Sequence, residues 1–161
     1  MEIRNTRPGE IEEVMEIYDI ARQVMRNSGN SQQWINGYPA RELINEDIEK
    51  GYSYVLVDNG KIQAVFSLID GEDPTYKVIA NGEWLNDEPY MTIHRIASRG
   101  EMKHASDICY GWTMEKTDNL RIDTHEDNVI MRHVLDRNGF TECGVIYISD
   151  GTPRIAYHKV K

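Results

Sequence analysis

The order of secondary-structure signals along the chain predicts an α/β (α+β) fold, in which helices cover both faces of one mixed, mostly antiparallel central sheet of about seven strands. Amphipathic helical periods alternate with segments rich in β-branched and aromatic residues. Two early strands are joined by Asn59-Gly60, the strongest short signal for an antiparallel hairpin. The helix predicted over residues 103–117 lies between two later strands, which predicts that these strands are parallel and joined by a right-handed crossover. Because the chain has 161 residues, we expect a single domain over residues 1–161.

The first part of the chain predicts one strand and two helices. A short strand over residues 2–5 precedes Pro8, which suits the first turn of a helix. Apolar residues then recur at helical spacing over residues 11–25, until a run of Asn, Ser and Gly at residues 27–31 ends the helix. A second helix is predicted over residues 40–50, with Gly51 as its cap.

The middle of the chain predicts the hairpin, a long connection and a further strand. We expect strands over residues 52–58 and 61–69, a loop with a short helix over residues 75–89, and a strand over residues 90–98.

The last part of the chain alternates helices and strands. The predicted elements are a helix over residues 103–117, a strand over 120–125, a helix over 128–137, and strands over 143–148 and 155–160. Exposed edge strands near the C-terminus are compatible with a homodimer.

Composition and charge exclude several functions. The chain carries 27 Asp and Glu against 18 Lys and Arg, a net charge of −9, which disfavours nucleic acid as a partner and favours a small cationic substrate. No apolar run is long enough for a membrane span, and the N-terminus lacks the apolar core of a signal peptide. We therefore expect no membrane partner and a cytoplasmic location. The two cysteines and the scattered histidines predict no metal site.

The most specific pattern in the sequence is Asn128-Val-Ile-Met-Arg-His-Val-Leu-Asp-Arg-Asn-Gly-Phe140. An Asn at the start of a helix caps it and can offer its amide to a ligand beside the strand end. Gly139 supplies a left-handed cap, and Phe140 begins the next core strand. On these residues alone, Asn128 is either a ligand-binding amide or a plain helix cap.

This pattern resembles the motif of the GCN5-related N-acetyltransferase (GNAT) superfamily, which has Asn, a small or apolar residue at +3, Tyr at +7 and Gly-Phe at +11 and +12. The order of elements is similar to that family over essentially the whole chain. The resemblance implies an N-acetyltransferase (an acyltransferase) with acetyl-CoA as co-substrate and no metal. It also implies acetyl transfer to a primary amine, on a small molecule or a peptide, by direct attack in a ternary complex.

The sequence departs from the family at the loop that wraps the CoA pyrophosphate, whose pattern is Arg/Gln-x-x-Gly-x-Gly/Ala. Here His104 and Ser106 stand where the glycines would be. The helix N-terminus still offers free N–H groups, and Lys103 and Arg99 add positive charge. One alternative is therefore a non-catalytic CoA-binding or sensing domain with a degenerate pyrophosphate loop. Another is a structural or regulatory protein that no longer binds CoA.

A second departure is Leu135, at the position where the family usually has a Tyr that protonates the leaving CoA thiolate. Tyr147 and Tyr157 are candidate replacements, although each also suits a strand. If neither replaces it, the thiolate leaves without a proton donor, which is chemically feasible because the pKa of the thiol is near or modestly above neutrality.

The resemblance implies which residues contact acetyl-CoA. They are Ile96, Ala97 and Ser98 on a strand, Lys103, His104, Ala105 and Ser106 at a helix start, and Asn128.

Three side chains are candidates for the base that takes the proton of the amine: His94, Asp123 and His125. Strand alternation places Asp123 and His125 on one face, and His94 interrupts an apolar strand at a position where the family often has Glu. Each also has a structural interpretation, in which Asp123 pairs with Arg121 or with a neighbouring strand, His125 caps a loop and His94 bonds to a backbone carbonyl.

The acceptor pocket is less well indicated. Trp34, Tyr38 and Trp84 could line it through cation–π contacts, or could serve packing alone. The identity of the acceptor amine is not predicted, because fold does not determine substrate.

Overall fold

A computed structural model describes the chain from Met1 to Lys161. Its strands are β1 (Glu2–Asn5), β2 (Ser53–Asp58), β3 (Lys61–Asp70), β4 (Met91–Ser98), β5 (Asn119–Thr124), β6 (Thr141–Tyr147) and β7 (Pro153–Val160). Its α-helices are α1 (Ile11–Asn27), α2 (Arg41–Glu49), α3 (Ala105–Met114) and α4 (Val129–Arg137), and 3₁₀ turns span Pro8–Glu10 and Pro74–Tyr76.

The seven strands form one open mixed sheet in the order β1-β2-β3-β4-β5-β7-β6. Neighbouring strands are antiparallel except β4 and β5, which α3 connects in parallel. The predicted fold class is therefore confirmed.

Helices cover the sheet on both sides because its strands alternate apolar residues between two cores. On β3, Val65 packs with α1 and α2, whereas its neighbour Phe66 packs with α3 and α4. Full burial of a side chain such as Phe66 stabilises the fold by roughly 1.5–3 kcal/mol. A third, smaller cluster contains Tyr76, Tyr90 and Ala156 and lies under the connection that precedes β4.

The predicted elements are all present, but several boundaries differ. The helix predicted over residues 103–117 is shorter, because His104 has a left-handed backbone (φ 59°) that cannot belong to a helix. β5 ends at Thr124, so strand alternation does not apply to His125. β6 and β7 each begin two residues earlier than predicted.

The long connection predicted as a loop with a short helix is mostly irregular. Its helical part is the 3₁₀ turn, which begins at Pro74, and its later part bridges to β6 through Ala80 and Val145. None of the helices combines the length and the apolar character that crossing a membrane requires.

Candidate active site

The sheet opens between its two parallel strands. β4 and β5 pair only at their first residues, Met91 with Leu120 and Thr92 with Arg121. Beyond these pairs, the edge of β4 that faces β5 has no partner strand from Ile93 onward. Backbone N–H and C=O groups on such an edge need another partner.

A bulge in β4 lies beside this gap. Opposite Phe66 of β3, β4 has two residues, Arg95 and Ile96, and Arg95 has a left-handed backbone with φ of 53°. The Tyr18 hydroxyl donates a hydrogen bond of 2.8 Å to the carbonyl oxygen of Arg95. The bulge thus changes the direction of β4 in the middle of the sheet.

Alternation of the β3–β4 ladder determines which backbone groups of β4 face the gap. The N–H of Arg99 bonds to the carbonyl oxygen of Gln63, so Ala97 also bonds toward β3. The backbone groups of Ile96 and Ser98 consequently point toward β5. Of the three strand residues predicted to contact acetyl-CoA, these two present free backbone groups to the gap, and Ala97 does not.

A cleft of about 500 Å³ extends through the gap. Its lining includes Tyr110 and Met131 from the α3–α4 side and His94 and Arg95 from the α1–α2 side. Cavities of this size are typical of small-molecule sites. Two reactants entering from opposite faces would meet at the bulge.

His94 lines the cleft and is held by Asp73. The His94 Nε2 and Asp73 Oδ2 atoms are 2.8 Å apart, and Asp73 also accepts bonds from the backbone N–H and the hydroxyl of Thr75. Burial alone would raise the pKa of Asp73, but the bonds from His94 and Thr75 outweigh it and lower this pKa to about 2. Because Asp73 is then anionic, Nε2 carries the proton that it donates, and Nδ1 has no partner in the protein.

Asp123 lines the same cleft and accepts a hydrogen bond of 2.6 Å from the Tyr76 hydroxyl. Burial, together with the charge of Asp123, raises the pKa of Tyr76 well above its usual range, so Tyr76 remains a donor. Tyr76 also packs against the His94 ring at 6.2 Å between centroids. The structure therefore brings His94 and Asp123 together through Tyr76, and the alternative pair of Asp123 with Arg121 does not form.

His125 lies apart from these two residues. It follows β5, is not part of the cleft lining, and its Nδ1 accepts a bond of 3.0 Å from the backbone N–H of Asp127. This arrangement matches its interpretation as a loop cap.

Asn128 caps α4 and ties it to the loop between α1 and α2. Its Oδ1 accepts from the N–H of Met131 at 3.1 Å, and its Nδ2 donates to Gln33 Oε1 at 3.0 Å. Asn128 and Gln33 both line the cleft. Asn128 is thus a helix cap within the site, and its contact with acetyl-CoA stays a prediction.

The loop between α1 and α2 forms one wall of the cleft and is held by Arg26. The Arg26 guanidinium donates to the carbonyl oxygens of Asn30, Gln33 and Trp34 at 2.7–3.0 Å. Of the three aromatic candidates, Trp34 and Tyr38 line the cleft, and Trp34 also packs against Tyr18 of α1. Trp84 is not among the lining residues, because its ring stacks on the guanidinium of Arg121 at 4.3 Å.

At the start of α3, the N–H groups of the first turn are free. The first helical bond runs from Ile108 to the carbonyl oxygen of His104, which leaves the N–H groups of residues 105–107 without acceptors. Lys103 is exposed and has no acidic partner. This end of the helix retains the features of an anion site even though His104 and Ser106 replace the glycines.

The charges around this helix start are distributed differently from our expectation. Arg99 does not contribute to it, because its guanidinium bonds to Ile62 and to Glu13 of α1. The negative charge of Asp107 in the first turn of α3 is offset, because Arg137 forms an ion pair with it at 2.8 Å. Lys61 likewise pairs with Glu101 at 2.9 Å.

The two tyrosines considered as replacements at Leu135 lie away from the cleft. Tyr147 is 50% exposed, and Tyr157 is fully buried with its hydroxyl accepting a bond from Arg132. Tyr110, which no sequence pattern indicated, lines the cleft on the α3–α4 side. Its hydroxyl donates only to Met131 Sδ, at 3.0 Å, and burial raises its pKa.

Comparisons with known proteins define the class of this fold and site. No protein-family model matches the chain, and no curated protein matches it. The fold is similar to that of a GNAT-family acetyltransferase from Streptococcus agalactiae 2603. That structure is 35% identical, has a TM-score of 0.92, and the match covers 99% of this chain and 95% of that one. The chain belongs to the GNAT family.

More distant structures share the fold. A GNAT-family acetyltransferase from Listeria monocytogenes 4b F2365 has 17% identity and a TM-score of 0.68, covering 99% of this chain and 94% of that one. The ribosomal-protein-S18-alanine N-acetyltransferase from Escherichia coli has 13% identity and a TM-score of 0.64, covering 99% and 92%. Membership of the family supports acetyl transfer as the general type of reaction.

Proposed function

We propose that the protein is an acetyl-CoA-dependent N-acetyltransferase that acetylates a primary amine by direct attack in a ternary complex. The observation that carries the proposal is the cleft through the split between β4 and β5, which is lined from both faces of the sheet. Such a cleft lets the thioester and the amine meet without a covalent enzyme intermediate.

Acetyl-CoA enters from the α3–α4 side. Its pantetheine arm pairs with the free backbone groups of Ile96 and Ser98, and the thioester carbonyl lies at the bulge near Arg95. The pyrophosphate lies at the first turn of α3, beside Lys103 and Ser106.

The amine enters from the α1–α2 side, where His94 takes its proton. Asp73 accepts the bond from Nε2 and so leaves Nδ1 as the acceptor. The amine nitrogen attacks the thioester carbon, the new C–N bond forms, and the C–S bond breaks to release CoA thiolate. Asp123, bonded to Tyr76, adds negative charge that favours a cationic substrate near His94.

Tyr110 assists the leaving thiolate in place of the family tyrosine that is absent at Leu135. Its hydroxyl faces a thioether sulfur, which is a weak acceptor, so it can turn to a stronger sulfur acceptor at low cost. Because its pKa is raised, it acts as a hydrogen-bond donor rather than as a strong acid.

The test is release of free CoA thiol from acetyl-CoA in the presence of a panel of primary amines. His94→Gln lowers kcat/KM by roughly 100-fold or more, since a general base contributes at least that much. His133→Gln is the matched control, because His133 is an exposed histidine on α4. Acetyl-CoA binding without thiol release for any amine would reject the enzyme and favour the non-catalytic CoA-binding alternative.

A further inference from the structure

Arg154 is a buried arginine in the wall of the cleft that has no acidic partner. It is 8% exposed and lines the cleft, yet no carboxylate lies within ion-pair distance of its guanidinium. Its bonds in the protein are from Nη1 to Thr152 Oγ1 at 3.1 Å and to the Pro153 carbonyl at 2.7 Å. Asp150 is reached only indirectly, because the Thr152 hydroxyl lies between the two residues.

The other two arginines beside the site each have a partner for their charge, although the Nε of Arg121 is buried and has no hydrogen-bond acceptor. Arg95 makes two bonds of 3.0 Å to the carboxylate of Asp47. Arg121 stacks on Trp84 and Tyr90, at 4.3 and 4.0 Å from the ring centres. Arg154 stacks on no ring and reaches Asp150 only through Thr152, and its Nε and Nη2 have no acceptor in the protein. Since buried charges are normally paired, its unused donors indicate a ligand.

The position of Arg154 places it beside the proposed acceptor site. Ala156 of β7 is paired with Asp123 of β5, and Arg154 lies two residues from Ala156 on the same strand. Alternate residues of a strand share a face, so Arg154 and Asp123 are on the same face of the sheet. His94 bonds to Asp73 on this side of the cleft as well.

The charges in the cleft select among anionic ligands. Asp73, Asp123 and Asp150 line it with Arg154, while the charge of Arg95 is balanced by Asp47. A cleft with several carboxylates and one free guanidinium repels a phosphate dianion more strongly than a carboxylate. The fork of an arginine also fits a planar carboxylate through two parallel bonds.

We propose that the acceptor is a small molecule carrying a carboxylate as well as the amine, and that Arg154 binds this carboxylate. The inference rests on the proposed function, because it names the class of acceptor for the same site. The amine of such an amino acid lies toward His94 and Asp123, and its carboxylate lies toward Arg154.

The experiment compares acceptors in matched pairs, each amino acid against the amine that lacks its carboxylate. With the unmodified protein, kcat/KM for thiol release is higher for the amino acid. Arg154→Gln lowers it by about 10- to 100-fold for the amino acid and leaves the decarboxylated amine unaffected, as expected for loss of a charged bond. Arg154→Lys restores part of the preference, and exposed Arg7→Gln serves as a control.

Stability measurements separate this role from a structural one. Without ligand, the unfolding midpoint of Arg154→Gln changes little, because no carboxylate loses its partner and only the bonds to Thr152 and to the Pro153 carbonyl are lost. A clear fall in the midpoint would indicate a structural role and overturn the inference. Equal or better use of decarboxylated amines, or equal losses on both members of a pair, would overturn it too.

A binding experiment tests the role of Arg154 even if no turnover is observed. N-acetylated amino acids, the products of the reaction, are titrated in the presence of CoA while the unfolding midpoint is followed. Protection that depends on Arg154 supports the inference, and its absence at millimolar concentration overturns it. Failure of acetyl-CoA itself to bind would instead overturn the proposed function.

Discussion

Tyr110 donates its hydroxyl proton to the Met131 sulfur in the floor of the cleft, and no oxygen or nitrogen acceptor competes for it. Leu135, where the family tyrosine would be, is fully buried and has no polar group to offer. In the proposed reaction, Tyr110 therefore takes the place of the tyrosine that the family motif has at the position of Leu135.

Tyr110→Phe is therefore expected to lower kcat by about 10-fold or more, through loss of a hydrogen bond to a developing charge. KM for acetyl-CoA and the unfolding midpoint change little, because the bond that is lost ends on a weak sulfur acceptor. Steady-state kinetics with Tyr157→Phe as control measure the effect. Equal kcat values for the two variants would remove Tyr110 from the mechanism.

His158 is a buried histidine whose bonds define its protonation state. Its Nδ1 accepts from the N–H of Leu85 at 3.1 Å, and its Nε2 lies 3.0 Å from Asn119 Oδ1, so the ring is neutral with the proton on Nε2. Burial, with the nearby charge of Arg121, lowers the pKa of His158 to about 4.

The lowered pKa predicts a loss of stability in mild acid. The unfolded chain gains a proton at this position below pH 6.5, whereas the folded protein gains it only near pH 4. As the pH decreases from 6.5 to about 4, the free energy of unfolding therefore decreases, by up to about 3 kcal/mol. Denaturant titrations at several pH values in this range measure how steeply the free energy of unfolding changes with pH. His158→Gln reduces this slope, and the control His133→Gln preserves it. A His158→Gln variant with an unaltered slope would refute the assignment.

The sequence predicted part of the site at the residue scale. His94 was selected because it interrupts an apolar strand and Asp123 because of strand alternation, and both line the cleft. Their partners, Asp73 and Tyr76, were missed because the connection that contains them has no helical or strand period. Arg154 was missed because one arginine in a terminal strand is no signal until its burial is known.

At the scale of elements, the start of α3 carries a strained residue. His104 has φ of 59°, its side chain is 65% exposed, and its Nδ1 lies 2.9 Å from Asp107. For a residue with a Cβ, this left-handed backbone conformation costs roughly 1–2 kcal/mol, whereas glycine adopts it freely.

Replacement of His104 tests whether the loop is merely strained or also blocked. His104→Gly raises the free energy of unfolding by about 1 kcal/mol and does not weaken acetyl-CoA binding, because the N–H groups of the turn remain. His104→Ala removes the imidazole but keeps the strain, so it shows no such gain. Denaturant unfolding and calorimetric titration compare the two. If His104→Ala raised the free energy of unfolding and His104→Gly lowered it, the left-handed conformation of His104 would be contradicted.

Two glycines differ in how closely their neighbours approach. A Cβ on Gly82 would lie 1.8 Å from the carbonyl oxygen of Cys143, where the long connection meets β6, whereas a Cβ on Gly111 in α3 would meet nothing within 4 Å. Gly82→Ala is expected to cost about 1–3 kcal/mol of stability, because backbone must move. Gly111→Ala gains about 0.5–1 kcal/mol from helix propensity. Thermal unfolding of both variants measures this, and a neutral Gly82→Ala would show that the connection is not packed there.

The elements themselves were largely predictable from sequence, and their fine geometry was not. Hydrophobic periods and the Asn59-Gly60 turn predicted every helix and strand, because those signals are local. The bulge at Arg95 and the opening between β4 and β5 depend on pairing between distant segments, for which a single sequence has no local signal.

At the scale of the whole molecule, the open sheet joins two half-sites that neither face contains alone. The α3–α4 side offers free backbone N–H groups and Tyr110, and the α1–α2 side offers His94, Asp123 and Arg154. The net charge of −9 favours a substrate with a cationic amine, and the free N–H groups at α3 suit the anionic CoA of the proposed function.

The most direct test of this account is thermal unfolding with acetyl-CoA, CoA and ATP at matched ionic strength. At about 100 times its dissociation constant, a ligand adds about 2.7 kcal/mol, which corresponds to roughly 5–10 °C for a chain of this length. The account predicts this shift with acetyl-CoA and CoA and a much smaller one with ATP. An unchanged midpoint at millimolar acetyl-CoA would contradict it, because the cleft between β4 and β5 would then not bind the co-substrate.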